Sequence, residues 1–275
     1  MAVVLVSGGS GKVGRDVVRG LLARGEWVRL ASRTASSVVD GGRLQRVCFD
    51  YTRPETFPAA LSDVDRVFLI CPPGDATPHL TVRNFVSALR GLRNLHIVNL
   101  SAFGVERRPD TGLRKVELEL EAISCSLTHL RANWFMQNFL CGRLWAEVCQ
   151  RCELRLPAGV ASISFVHTRD VADIAVASLC SPQLGVRAYE VTGGESLDHF
   201  AVAREIGEFL HHRVTYVPIP EEIARNEGLD EVSLEYYKFV RQGLFSRVSD
   251  GVRLVLGRAP LPFAQAFEDK RGGAL

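Results

Sequence analysis

The chain has 275 residues, 47% of them hydrophobic and 23% charged, with a formal net charge of +2. This is an ordinary globular balance, with no electrostatic case for a nucleic-acid or membrane-surface partner. No apolar run is long enough to span a bilayer, and residue 1 opens on the first predicted strand, which leaves no room for a signal peptide. A cytoplasmic location is therefore expected. The seven cysteines, Cys48, Cys71, Cys125, Cys141, Cys149, Cys152 and Cys180, are odd in number and read as reduced thiols. Cys149-x-x-Cys152 lacks the second pair that a zinc site would want, so no metal is expected.

Met1–Val6 is a short apolar, β-branched run, the pattern of a buried parallel strand. Ser7-Gly8-Gly9-Ser10-Gly11-Lys12-Val13-Gly14 follows at once. Val17, Val18, Leu21 and Leu22 then mark the apolar stripe of a helix over Arg15–Arg24. Strand, glycine-rich turn and helix together point to a dinucleotide site. The glycines allow a tight turn, close approach of the backbone to a pyrophosphate, and close packing of helix on strand. The helix start then holds the anion with free N–H groups and its positive dipole. Two spacings fit, Gly9-x-Gly11-x-x-Gly14 and Gly8-x-x-Gly11-x-x-Gly14, and the later motifs favour the second.

Further strands are predicted at Trp27–Ala31, Leu44–Phe49, Arg66–Cys71, His96–Leu100 and Ser126–Arg131. Helices are predicted between them at Glu55–Ser62, Leu80–Leu92 and Leu113–Ile123. This alternation predicts an α/β fold, a Rossmann-type doubly wound parallel sheet. Beyond it, helices are predicted at Asn133–Arg151, Asp170–Leu179, Leu197–Leu210, Glu221–Asn226, Glu231–Gly243 and Ala264–Phe267, with strands at Ile163–Val166 and Arg187–Thr192. No linker detaches a second domain. Residues 1–275 are expected as one NAD(P)-binding domain, with a dinucleotide-binding core over about 1–155 and a small C-terminal substrate lobe over 156–275. The lobe is expected over the carboxyl ends of the strands, where such sheets bind ligands.

The end of the second strand bears on cofactor choice. An NAD site places a carboxylate there for the ribose 2′-hydroxyl. Here Ala31-Ser32-Arg33 has no acid. Arg33 can pair with a 2′-phosphate, Ser32 can donate a hydrogen bond and Lys12 adds charge, so NADP(H) is expected over NAD(H). Asp50-Tyr51 ends the third strand, where the adenine lies in this fold. Cys71-Pro72-Pro73 and Ser101-Ala102-Phe103 end the fourth and fifth strands and are expected beside the nicotinamide half.

Several stretches carry a resemblance: Gly8 to Gly14, Ala31-Ser32-Arg33, Phe68 to Pro73, Leu100 to Gly104, Leu130-Arg131-Ala132-Asn133-Trp134-Phe135-Met136-Gln137-Asn138-Phe139, Ile163 to Ala172 and Tyr189 to Gly193. Through them the chain resembles the NmrA-like atypical short-chain dehydrogenases over nearly its whole length. It looks closest to the ergot-alkaloid dehydrogenases and to NADPH:quinone reductase-like members. Ala132 departs from the family, which usually has proline there. The resemblance implies an NADP(H)-binding domain with a C-terminal substrate lobe, in a family that mixes reductases with redox-sensing regulators.

The Tyr-x-x-x-Lys proton-donor pair of ordinary short-chain dehydrogenases is absent, because no tyrosine has a lysine four residues on. Lys115 stands where the family often carries a lysine or histidine near the nicotinamide, which implies a hold on the ribose or a proton donor. It reads equally as part of a solvated charge face with Arg114, Glu117 and Glu121. Missing acid–base machinery favours acceptors that need little proton help: an iminium, an activated enone or a quinone. Phe103, Trp134, Phe135, Phe139, Phe165, Tyr236 and Phe239 are candidates for a flat apolar pocket, with His167 facing it, although each taken singly is the kind of residue that packs a core. Two readings stand. One is an NADPH-dependent reductase of an aromatic or polycyclic small molecule, in secondary metabolism. The other is a non-catalytic NADP(H) sensor that binds a partner protein. A monomer and a homodimer are both open.

Overall fold

The computed structural model describes residues 3–34, 38–39, 42–181 and 186–273. Its strands are β1 (Val3–Val6), β2 (Trp27–Ser32), β3 (Val38–Val39), β4 (Leu44–Cys48), β5 (Val64–Ile70), β6 (His96–Ala102), β7 (Ser126–Ala132), β8 (Glu153–Leu156), β9 (Ser162–Ile163), β10 (Val186–Val191), β11 (Leu197–Asp198) and β12 (Thr215–Pro218). Its α-helices are α1 (Lys12–Ala23), α2 (Phe57–Leu61), α3 (Pro78–Leu89), α4 (Gly112–Glu121), α5 (Gly142–Arg151), α6 (Thr168–Cys180), α7 (His199–Leu210), α8 (Glu221–Asn226), α9 (Glu231–Arg241), α10 (Gly251–Leu256) and α11 (Phe263–Arg271). Among the described residues no helix is long and apolar enough to cross a membrane.

The chain forms two compact units. Unit 1 is Met1–Arg131 with Val171–Glu190, and unit 2 is Ala132–Asp170 with Val191–Leu275. In place of a single boundary near 155 the chain crosses between the units three times, after residues 131, 170 and 190. Residues 132–155, expected with the core, belong to unit 2, and 171–190, expected in the lobe, return to unit 1.

Unit 1 carries the main sheet, in the order β10-β7-β6-β5-β1-β2-β4-β3. Seven strands make the parallel centre, and β3 pairs antiparallel with β4 at one edge. Strand order reverses at β1, which pairs in parallel with β2 on one side and β5 on the other. This reversal is the switch point at which doubly wound sheets bind ligands. Val4, Leu5 and Val6 are wholly buried, as a strand covered on both faces requires. Helix α1 buries Val13, Val17, Val18 and Leu21, and α3 buries Val82, Phe85, Val86 and Leu89. Each such side chain contributes roughly 1.5–3 kcal/mol on burial.

Unit 2 is built on two small sheets, β8 with β12 in parallel and β9 with β11 antiparallel. Its core is aromatic: Phe139 and Phe165 meet edge-on at 5.2 Å, and both pack against Phe263 and His199. The helix expected over Asn133–Arg151 is two pieces, a 3-10 turn at Met136–Phe139 and then α5. Asn133 donates its side-chain amide to Ser164 Oγ and to the Phe245 carbonyl, and Phe135 bridges to Val166 in extended form. Gly142 then takes a left-handed φ of 70°. These long-range bonds override the local helical pattern.

Candidate active site

The glycine turn is the best-defined part of unit 1. Gly8 has φ +64°, which favours glycine. The Gly11 N–H donates to the Gly8 carbonyl at 2.9 Å. A Cβ on Gly14 would lie 2.2 Å from the Gly8 oxygen and 2.8 Å from Gly9 Cα, so only glycine lets α1 pack this closely. Contact therefore joins the first and last members of the Gly8-x-x-Gly11-x-x-Gly14 spacing. Helix α1 has no side-chain cap at Gly11 and no acid in its first turn. The N–H groups of Lys12, Val13 and Gly14 have no partner within the helix. Ser10, also of this turn, is exposed. A bare helix start of this kind suits a phosphate.

The other cofactor candidates stand at the carboxyl ends of neighbouring strands. Ser32 closes β2, and its hydroxyl lies 3.3 Å from that of Thr34. Arg33 is exposed. Asp50 Oδ1 accepts from the Thr52 N–H at 2.9 Å and from the Thr52 hydroxyl at 2.8 Å. Those two bonds hold its carboxyl below the usual range, with Arg33 and Arg53 adding to the effect. The Tyr51 hydroxyl donates to the Ile70 carbonyl at 3.0 Å, and its ring sits edge-on to Phe49 and Phe85. Burial pushes the phenol above its ordinary value. Cys71 is buried, and that burial, with Asp75 adding, pushes its thiol up to about 12, so it stays protonated. Pro72 is half-buried and Pro73 exposed. At the end of β6, Ser101 and Phe103 are buried and Ala102 is half-buried.

Lys115 is half-buried on α4. Its charged neighbours form their own network. Arg114 reaches Glu117 at 2.7 Å and Glu121 at 2.8 Å, and Arg131 grips Glu117 with bonds of 3.0 and 2.9 Å. Burial alone would raise the fully buried Glu117 carboxyl, but Arg131 and its other partners outweigh it and hold the group low. Among the described residues the Lys115 ammonium joins none of these pairs. The charge face thus exists without it. Glu117, Glu121 and His129 do bring possible metal-ligand atoms within 4.8 Å of one another. Arg114 and Arg131 already supply the positive charge those carboxylates need.

The remaining substrate candidates are in unit 2, whereas Phe103 belongs to unit 1. Phe139 and Phe165 are fully buried core residues. Trp134, Phe135, Tyr236 and Phe239 are half-buried, and Trp134 packs on Tyr237 at 4.9 Å. His167 is 1% exposed. Its Nδ1 accepts from the Arg169 N–H at 3.1 Å, and its Nε2 lies 2.9 Å from Gln137 Nε2 and 3.4 Å from Asp269. Burial lowers its pKa to about 4, so the ring is neutral at pH 7. Sequence reasoning missed a cavity of about 310 Å³ in unit 2 whose walls include Met136, Phe165, Leu197, Phe263 and Glu195. Its signal was the Pro260-Leu261-Pro262-Phe263 run, which has no helical or strand period. Cys149 and Cys152 are both exposed at the end of α5.

Comparison with known proteins bears on this geometry. The NAD(P)H-binding family matches residues 8–132, from the glycine turn to the end of β7. Prestalk A differentiation protein A of Dictyostelium discoideum is 28% identical over 95% of this chain and 90% of its own. Agroclavine dehydrogenase of Claviceps fusiformis is 28% identical over 98% of this chain and 97% of its own. The solved structure of the NADPH-dependent quinone oxidoreductase QOR2 of Escherichia coli, in complex with NADPH, matches with a TM-score of 0.82 at 18% identity, over 98% of this chain and 99% of that one. Over residues 8–132 the chain is thus similar to the NAD(P)H-binding family, and the relatives that match nearly its whole length include a named dehydrogenase and a named oxidoreductase.

Proposed function

We propose that the chain is an NADPH-dependent reductase that passes hydride to a conjugated or polycyclic electrophile, an iminium, an enone or a quinone, in the making of a secondary metabolite. One observation carries the reading: the tight Gly8–Gly14 turn opens onto an uncapped helix start, next to a β2 end that presents Arg33 rather than an acid. When bound, NADPH supplies the hydride. The N–H groups of Lys12, Val13 and Gly14 hold the pyrophosphate, and Arg33 and Ser32 take the 2′-phosphate. Asp50 and Tyr51 border the adenine; Pro72, Pro73, Ser101 and Ala102 border the nicotinamide half. Lys115, outside the Arg114–Glu117–Glu121–Arg131 network, has its ammonium available for the nicotinamide ribose or for a proton. Trp134, Phe135, Tyr236 and Phe239 offer half-buried aromatic surface to a flat acceptor. Catalysis then rests chiefly on positioning.

The test is NADPH oxidation, followed by absorbance, against a panel of quinones, enones and cyclic imines, with deuterated cofactor to identify hydride transfer. An isotope effect with any of these acceptors supports the reading. A second reading, a non-catalytic NADP(H) sensor, draws on the Dictyostelium relative, whose name describes differentiation and not a reaction. Tight NADPH binding with no oxidation by any acceptor, together with a stable complex with a partner protein, would establish that reading instead.

A further inference from the structure

Two strands of the main sheet each run into one charged residue just past their last bonded pair. Ser32 of β2 stands opposite Cys48 of β4, and the Phe49 N–H donates to the Ser32 carbonyl at 3.0 Å. Arg33 follows Ser32, and Asp50 follows Phe49. The register brings Arg33 level with Phe49 and sets Asp50 one residue further along, at the adjoining carboxyl ends of β2 and β4. The aspartate is not free to swing away, because Thr52 grips Oδ1 through both its N–H and its hydroxyl. The carboxylate is half-buried and Arg33 is exposed. The two charges act on one another, yet no ion pair within 4.0 Å joins them among the described residues. Arg33 is left to face outward, with a fixed negative charge at its flank.

We propose that Asp50 limits the preference of the site for NADPH over NADH, by setting a fixed negative charge beside the Arg33 that takes the 2′-phosphate. The inference rests on the proposed role of Arg33. A 2′-phosphate carries negative charge that NADH lacks, so a carboxylate nearby repels NADPH alone. It also draws on the Arg33 guanidinium, leaving less of that charge for the ligand. Both effects are Coulombic across a solvated gap, and dissolved salt screens them. A contact from Asp50 to the adenine would be a different role, because the two cofactors share that ring.

Dissociation constants for NADPH and NADH, by fluorescence titration of the full chain at low and moderate salt, test this. Asp50→Asn keeps an oxygen for Thr52 and removes the charge. The expected result is a rise of roughly three- to tenfold in the NADPH-to-NADH affinity ratio at low salt, shrinking as salt is added. Asp50→Ser, a second neutral replacement, should raise the ratio in the same direction. An equal change in both affinities, or an unchanged ratio in both variants, overturns the inference. Its failure is separable from that of the proposed function. If the unaltered chain prefers NADPH and Arg33→Ala removes the preference while Asp50→Asn is silent, only the role of Asp50 falls. If the unaltered chain binds neither cofactor, the reductase reading falls with it.

Discussion

Gly14 packs against Gly8 so closely that a side-chain carbon at residue 14 would overlap the Gly8 carbonyl oxygen, at 2.2 Å. The third glycine of the motif therefore sets how near α1 comes to the end of β1, and with it where the helix start points. Gly14→Ala must push the helix outward. The expected cost is about 1–3 kcal/mol of stability, as for overpacking elsewhere, with loss of NADPH affinity. Thermal unfolding and cofactor titration read the two effects separately.

Gly11 behaves differently. A Cβ there meets only the Gly8 oxygen, at 3.2 Å, which a small shift relieves. Gly11→Val should keep the fold, shown by an unchanged circular dichroism spectrum, and lose NADPH binding because the side chain fills the pyrophosphate space. Retained affinity would remove the turn from the site.

Arg33→Ala should weaken NADPH binding by roughly 1.5–3 kcal/mol, the worth of a charge-assisted hydrogen bond, and leave NADH nearly unaffected. Equal dissociation constants for the two cofactors in the unaltered chain would refute the NADPH preference.

Lys115→Met separates two roles for the ammonium. A residue that only holds the ribose should lose cofactor affinity while the single-turnover transfer rate stays nearly constant. A proton donor should lose roughly 10²–10⁴-fold in that rate. Because Lys115 is outside the neighbouring ion-pair network, the change should leave thermal stability almost untouched.

Stability should fall in mild acid. His167 and His199 are buried and neutral, each with its pKa lowered to about 4 by burial. The unfolded chain takes up these protons near pH 6.5, before the folded one does. The stability they confer is thus full above pH 6.5 and is lost progressively as the pH drops toward 4. The urea midpoint should already be lower at pH 5 than at pH 7. His199→Phe, apolar among Phe139, Phe165 and Tyr216, should flatten that dependence.

The part of the fold legible in the sequence is the part governed by local period. β1, α1, β2 and the strands β4 to β7 follow from apolar runs between turn residues, and α8 lies where its pattern puts it, whereas the two-residue β3 falls in a stretch that reads as a polar loop. The misreading over Asn133–Arg151 arose because Asn133 and Phe135 spend their bonds on residues far along the chain, which no local pattern reveals. β8 was overlooked although Glu153-Leu154-Arg155-Leu156 alternates as a half-buried strand does. For the site, glycine spacing gave the turn and the missing acid gave the Arg33 reading. The independence of Lys115 from the ion-pair network was not legible, since Arg114, Glu117 and Glu121 share its short charged helix and the partner that completes their network, Arg131, lies on β7. The His167 contacts were hidden too, because Asp269 is 102 positions away and only the folded chain brings it near.

The three crossings of the chain between its units bear on how the protein is made. The main sheet takes β10 from residues 186–191, and Arg66 donates to the carbonyl of Leu179 on α6 at 3.3 Å. A ribosome that has delivered the family-matched stretch 8–132 has therefore not delivered a finished dinucleotide unit. The sheet edge at β7 stays open while residues 132–170 emerge, and it closes only after residue 191 has left the exit tunnel. Such an unpaired edge is exposed to aggregation. A chain cut at residue 155 would keep that edge for good, and the stretch of synthesis from residue 132 to residue 191 is the interval in which a chaperone has something to cover.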